Sequence, residues 1–438
     1  MTSNTAVASG RPTLTPGARR ALFAATVGTL IEWYDYALYG AAAGLVIGPL
    51  FFAGTSTGAS LAAFATFAVG FIARPLGGLV IGHIGDRRGR RPAMILTIVL
   101  MGAATVAIGL LPTTAAIGAA APLLLVVFRV LQGFGAGAEL AGAMTLVAEF
   151  APAKRRGYFT SIVLATPPAG IALATVAFLW ASSAGDAALL GWAWRVPFIA
   201  SAVLFFVALF IRARLEETPE YRIATEHADA ARKRRLPLGE LLRRSPAEVA
   251  IGFFSITGHN ALNYIMAVFA LGFMASPAIG MSRTDALLAV TVGSLAGIVG
   301  TPFGGWAADR FGAGRVLAIG SAAGALFAYP LFAALSSRSM ALATLAIAIG
   351  YGIVIAMTSG AQGAFLTNLF PPAHRFSGVG LARELNGAIV AGLSPLIAAA
   401  LIEAAHGGTW LAALFLLLCC ASSMIAVLLA RGRGTTAA

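Results

Sequence analysis

Residues Gly82-His83-Ile84-Gly85-Asp86-Arg87-Arg88-Gly89-Arg90-Arg91 decide how this chain is read. A second copy reads Gly305-Trp306-Ala307-Ala308-Asp309-Arg310-Phe311-Gly312, with Arg315 beyond it, and Asp309 follows Asp86 by 223 residues in a chain of 438. Each copy closes a long apolar run. A charged turn recurring at the same point of two hydrophobic halves marks a duplicated membrane bundle.

Composition agrees. Hydrophobic residues make up 59% of the chain and charged residues 11%, with a mean hydropathy of +0.86, whereas a soluble domain carries about 25% charged residues. A bilayer core of about 30 Å needs roughly 20 apolar residues per helix. Twelve such runs occur, near 21–43, 59–83, 93–111, 121–146, 158–181, 195–213, 248–274, 285–308, 315–335, 340–368, 377–402 and 409–430. The expected fold is therefore all-α and membrane-embedded: a tail 1–20, a six-helix bundle 21–213, a polar loop 214–247, a second six-helix bundle 248–430 and a tail 431–438.

Charge fixes the expected orientation. Of 30 Lys and Arg residues, 24 fall in the tails and loops of one face, 3 (Arg195, Arg283, Arg338) fall on the other, and Arg74, Arg129 and Arg383 lie inside helices. The positive-inside rule places both termini in the cytoplasm. The net charge of +13 is then a topology signal and a contact with anionic lipid headgroups, not a nucleic-acid footprint. The first 20 residues lack the apolar core of a cleavable signal peptide. A P-loop needs Gly-Lys, and the two lysines, Lys154 and Lys233, follow Ala153 and Arg232, which excludes an ATP-driven pump motif. Cys419 and Cys420 are neighbours in the last run and read as packing residues.

Local motifs narrow the class. They are Glu32-Trp33-Tyr34-Asp35-Tyr36 with Tyr39-Gly40, Arg74-Pro75-Leu76-Gly77-Gly78, Arg129-Val130-Leu131-Gln132-Gly133-Phe134 with Gly137 and Glu139, and Glu149 with Pro152 and Arg156-Gly157. Trp194-Arg195-Val196-Pro197-Phe198, Glu216-Glu217-Thr218-Pro219 and Arg375-Phe376-Ser377-Gly378-Val379 continue the series. With these the chain resembles the metabolite–proton symporter family of the major facilitator superfamily. The resemblance implies two pseudo-symmetric six-helix halves around a cavity open alternately to each side, with substrate near the midplane. Members carry shikimate, 2-oxoglutarate, citrate, other carboxylates or compatible solutes. The implied function is proton-coupled uptake of a small organic anion, with no cofactor beyond the proton as coupling ion, no nucleic-acid partner and a monomeric carrier.

The repeated turn supplies a candidate conformational latch: Gly82, Asp86, Arg87, Gly89 and Arg90 in the first copy, Gly305, Asp309 and Arg310 in the second. An acid at that level can pair with an arginine or a helix N-terminus of the other half in one state and release it in the other. For the remaining arginines of the turn, placement by the positive-inside rule is explanation enough.

Charges inside the hydrocarbon are the site candidates, because each costs at least ~2.5–3.5 kcal/mol there and survives facing a cavity or a partner. Glu32 and Asp35 are three apart and share a helical face; with Glu139, seven residues past Gln132, they are the candidate proton carriers. The bland alternative is that these acids merely tie helices together through arginines. Arg74 lies 12 residues before Asp86, about 18 Å at the helical rise and so near mid-membrane. Its counterpart in the second half is Gly297, so this cation is not part of the repeat; it is either a substrate contact or the partner of Asp35 or Glu32. Arg129, with Gln132 and Tyr36, is likewise suited to a carboxylate, the planar guanidinium fork matching it bidentately, or to an internal ion pair.

In the seventh run His259, Asn263 and Tyr264 are candidate substrate contacts, a satisfied neutral histidine being the commoner case; Gln362 in the tenth is a weaker candidate. Arg383 and Glu384 depart from the Gly- and Ala-rich pattern of helix 11 in the resembling family. Adjacent in sequence, they point roughly 100° apart, and read either as a substrate or gating feature or as a rim ion pair. Pro167-Pro168 should kink the fifth helix, and Trp180, Trp192, Trp194, Trp306 and Trp410 are expected at the membrane interface. Two other functions remain: uptake of a zwitterionic solute such as proline or betaine, and export or antiport of an amphipathic compound, against which three buried arginines speak. A membrane enzyme would need clustered histidines, and His83, His227, His259, His374 and His406 are scattered.

Overall fold

Each apolar run is long enough to satisfy its own backbone as a helix, which is the one open structure a lipid environment tolerates. The computed structural model describes residues 16–52, 56–88, 90–137, 144, 147–148, 151–214, 245–371 and 375–431. Among them the chain passes through twelve helical spans and no strand.

The first half comprises α1 (Pro16–Ala42, carried on by a π-helical turn Ala43–Ile47 and Gly48–Phe51), α2 (Ser56–Arg88), α3 (Arg90–Leu110), α4 (Ala120–Gly135), α5 (Arg156–Val163 then Thr166–Ser182) and α6 (Arg195–Arg214). The second comprises α7 (Pro246–Ser255 and Thr257–Tyr264, a π turn Ile265–Phe269, then Ala270–Met274), α8 (Arg283–Phe311) and α9 (Ala313–Ser336). It continues with α10 (Met340–Ile349, a π turn Gly350–Ile355, then Ala356–Leu369), α11 (Arg375–Asn386, a π turn Gly387–Ala391, then Ser394–Ala404) and α12 (Trp410–Arg431). Seven described helices are individually long and apolar enough to cross a bilayer. The central loop lies largely outside the described residues.

An even number of spans puts the start of α1 and the end of α12 on one face, the terminal face; the other is the far face. Outward positions are apolar, as lipid requires: Leu326 is 81% exposed and Phe206 71%. Polar side chains turn inward instead, and Asp35, Arg129 and Gln132 are fully buried.

Two local readings are corrected here. Pro167 and Pro168 do not kink a continuous helix. They occupy the first turn of the second piece of α5, after a break at Leu164 and Ala165, where a missing N–H costs nothing. Trp180, Trp192, Trp306 and Trp410 are more than half exposed, but Trp194 is completely buried, edge-on to Phe51 and Phe198.

The halves meet along α1–α7, α2–α11 and α5–α8. At the first seam the backbones nearly touch: a Cβ on Gly44 would lie 3.0 Å from the backbone nitrogen of Gly272. Both helices carry their π turn at this level, and such turns concentrate at functional sites.

Candidate functional site

Arg74 sits where the halves come together. It projects from α2 with 7% of its surface exposed. Its Nη2 donates to Glu32 Oε1 of α1 at 2.9 Å and to the carbonyl of Ala136 at 3.3 Å. Its Nε lies 3.3 Å from Glu384 Oε2 of α11, so one guanidinium holds carboxylates from both halves. Of the two sequence alternatives for a partner, Glu32 rather than Asp35 takes that place. Arg383, next to Glu384, turns elsewhere, and Arg74, Arg383, Glu32 and Glu384 remain within electrostatic reach of one another. Two acids and two bases balance, which a buried cluster needs, because an uncompensated internal charge costs several kcal/mol.

Aromatic rings enclose this centre. The Arg74 guanidinium lies 4.8 Å over the Tyr36 ring and 5.5 Å from that of Phe71, a cation–π geometry. Tyr264 of α7 packs edge-on to Phe71 at 5.1 Å and stacks on Trp33 at 5.8 Å. Tyr36 Oη, Trp33 Nε1 and Asn263 Oδ1 are buried and make no hydrogen bond. Groups of this kind cost about 1–3 kcal/mol each when unsatisfied and are the polar atoms a ligand could engage.

A second network lies within the first bundle. Asp35 Oδ2 accepts from Gln132 Nε2 at 2.6 Å and Oδ1 accepts from Thr105 at 2.5 Å. Gln132 Oε1 in turn accepts from Arg129, whose other donors go to the carbonyls of Thr66 and Phe67 at 3.2 and 2.9 Å. Arg129 also lies 3.8 Å over the Tyr39 ring. Arg129 and Gln132, grouped at sequence level with the substrate contacts, therefore stand with Asp35 and not with Arg74. Thr105 can donate to Asp35 or, at 2.9 Å, to the carbonyl of Met101. Rotating one hydroxyl thus accommodates Asp35 with or without a proton, and no heavy atom need move.

The second bundle repeats the pattern with different end groups. Arg383 Nη1 donates to Gln362 Oε1 at 3.1 Å, Gln362 Nε2 faces His259 Nε2 at 3.2 Å, and His259 Nδ1 faces Thr358 Oγ1 at 2.9 Å. Arginine cannot accept, so the amide must present its oxygen to Arg383 and its NH2 to His259. That leaves His259 Nε2 as acceptor and Nδ1–H as donor, a neutral tautomer.

At the terminal face the second copy of the repeated turn joins the halves. Asp309, in the last turn of α8, accepts from the backbone nitrogens of Gly157 and Tyr158 at 2.7 and 2.8 Å, in the first turn of α5. A carboxylate at a helix N-terminus is favoured by the exposed N–H groups and the helix dipole. Gly305 makes the approach possible: a Cβ there would lie 2.2 Å from Ser161 Oγ. Arg310 is exposed, over the rings of Trp306 and Phe311 at 6.0 and 5.8 Å, and points away from the seam. Beside it Arg156 donates to Asn368 Oδ1 at 3.1 Å. At the far face Arg283 pairs with Asp186. Glu139 and Gly89 lie outside the described residues, as do the side chains of Asp86, Arg87 and Arg90 and the packing around Gly82.

Sequence reasoning missed Thr105, Thr358, Phe71 and Trp33. Thr358 and Phe71 stand one helical turn before Gln362 and Arg74, a spacing that puts them on the same face and could have found them. Nothing local marks Thr105.

Two six-helix halves meeting around a buried, balanced cluster of charges define a membrane transporter. Residues 21–238 match the family described as Sugar (and other) transporter. The shikimate transporter of Escherichia coli (strain K12) is 37% identical over 419 residues, 94% of each chain. The inner membrane metabolite transport protein YhjE of the same strain is 35% identical over 385 residues, 87% of each chain. A proline/betaine transporter, also of that strain, is 31% identical over 398 residues, 89% of this chain and 78% of the relative. Among solved structures, a D-xylose–proton symporter superposes with a TM-score of 0.71 at 21% identity, over 94% of this chain and 97% of that one, a likeness of fold. The chain belongs to the major facilitator superfamily, among its sugar and metabolite transporters. It is a multi-pass secondary active transporter and not an enzyme.

Proposed function

We propose that this transporter takes up a small organic anion together with protons across a bacterial inner membrane, with both termini in the cytoplasm. The observation that carries the reading is Arg74: a buried cation, shared by carboxylates of both halves and enclosed by Tyr36, Phe71 and Tyr264. Arg129 has its donors committed inside the first bundle and Arg383 is bonded to Gln362. One cation at the centre suits one carboxylate, and the surrounding rings suit a ring-bearing acid more than a tricarboxylate. Asp35 is the acid that carries the proton needed for reorientation, because its bonds with Thr105 and Gln132 can house both protonation states. Asp309 of α8, held by the N-terminus of α5, keeps the terminal face shut and releases it when that side opens.

A second reading is uptake of a zwitterion such as betaine. It is favoured by the same rings, since a quaternary ammonium binds aromatic faces, and by the proline/betaine relative. Uptake into right-side-out vesicles under an imposed inward proton gradient tests both. The anion reading expects accumulation of labelled shikimate, blocked by other ring-bearing monocarboxylates and not by betaine. Accumulation of betaine instead would select the second reading, and movement outward alone would overturn both.

A further inference from the structure

Resting on the carboxylate reading, we propose that Glu384 is an internal stand-in for the substrate, occupying Arg74 until a substrate carboxylate displaces it and then carrying the proton that binding takes up. Arg74 has two acidic neighbours that differ in how they are held. Glu32 Oε1 receives an aligned hydrogen bond from Nη2 at 2.9 Å. Glu384 Oε2 is 3.3 Å from Nε, yet neither that oxygen nor Nε is in a hydrogen bond. The second contact is attraction without alignment, and it crosses from α2 of one half to α11 of the other. The Glu384 side chain is also 13% exposed, against 2% for Glu32, so it is the acid with room to leave.

The exchange balances. Ionised Glu384 paired with Arg74, a substrate carboxylate and one proton become protonated Glu384 and a substrate carboxylate paired with Arg74. No bond other than the O–H of Glu384 forms, and the net charge of the buried centre does not change. Without the proton the buried centre would carry one unbalanced negative charge, which the protein interior strongly disfavours. The charged and titratable groups around the Arg74–Glu384 pair are Glu32 and Tyr36 from α1 and Tyr264 from α7, which face Arg74, and Arg383 beside Glu384 on α11, with neutral Gln362 and His259 beyond Arg383. Arg383, bonded to Gln362 and already beside Glu384, stays in place throughout, so it is the arriving substrate charge that the proton offsets. This assignment gives Glu384 a task distinct from that of Asp35: binding-linked against reorientation-linked proton uptake.

The test is equilibrium binding of labelled shikimate to the purified full-length protein in lipid nanodiscs between pH 5 and 9, for the wild type and Glu384→Gln. Uptake of one proton per carboxylate makes wild-type binding weaken by about tenfold per unit rise in pH. In Glu384→Gln the competing charge is gone, so binding at pH 8 should tighten by about tenfold and its pH slope should flatten. A structural role would weaken binding instead. Weaker binding in the variant, or an unchanged slope, overturns the proposal. A ligand-free arm separates this idea from the substrate reading. In infrared difference spectra on acidification, a carboxylic-acid band present in the wild type should be missing in Glu384→Gln. If shikimate fails to bind the wild type, the ring-acid reading fails while loss of that band still supports a titrating Glu384; persistence of the whole band in the variant overturns it.

Discussion

The α5–α8 and α2–α11 seams join the same two halves in opposite ways. Inside the membrane α5–α8 is uncharged: Thr291 donates to Thr175 Oγ1 at 2.7 Å, and a Cβ on Gly297 would come within 3.0 Å of Pro168. Its charges stand at the rims, where Asp309 rests on backbone N–H groups with Arg155 and Arg156 nearby. In α2–α11 the interior holds Arg74 against Glu384, with Glu32 of α1 on the other side of the cation. Small residues let helices slide or rock with little change in electrostatic energy. A buried ion pair cannot be separated without new partners or a proton. The comparison assigns motion to one seam and chemistry to the other.

Substitutions can break this contrast, and the largest effect should come from Arg74→Ala. It leaves Glu32 and Glu384 without their shared cation, and breaking a buried pair costs about 3–5 kcal/mol. Initial uptake of labelled shikimate should fall by a factor on the order of 10² to 10³, and Arg74→Lys should not restore it, because a point charge does not span both acids as the guanidinium does. Next is Asp35→Asn, which cannot carry a proton. Accumulation against a gradient should disappear in vesicle uptake while exchange of labelled for unlabelled shikimate continues; intact accumulation would remove Asp35 from the proton path.

Asp309→Asn tests the rim of the uncharged seam. Asn keeps one acceptor and loses a charge-assisted bond, worth about 1.5–3 kcal/mol. Electron–electron resonance distances between spin labels at the terminal-face ends of α5 and α8 should then show a shift of at least about tenfold toward the separated population. The smallest effect belongs to Thr291→Val, which removes the interhelical hydroxyl pair at about 0.6 kcal/mol. Uptake should stay within twofold of the wild type, and a larger loss would place chemistry in the seam that the structure leaves uncharged.

Much of the architecture is legible in the sequence, because lipid forces each span to be a continuous apolar run and the duplicated turn gives the repeat. Arg74, Glu32 and Glu384 also stand out as charges that hydrocarbon does not tolerate for nothing. Their pairing does not, since residues 32, 74 and 384 are brought together by packing between halves. Glu32 and Asp35 share a face by spacing, yet they end in separate networks, one between the halves and one within the first bundle. Trp194 illustrates the same limit. Two positions beyond the exposed Trp192, it points roughly 200° around the helix axis and packs against Phe51 and Phe198, partners that composition does not reveal.

The central claim is that proton and substrate are coupled at the charged seam. It is tested most directly by reconstituting the wild type, Arg74→Ala and Thr291→Val in proteoliposomes and imposing an inward proton gradient at equal protein content. Labelled shikimate should accumulate in the wild type and, within twofold, in Thr291→Val, and should not exceed equilibrium in Arg74→Ala. Accumulation by Arg74→Ala at the wild-type level would contradict the account.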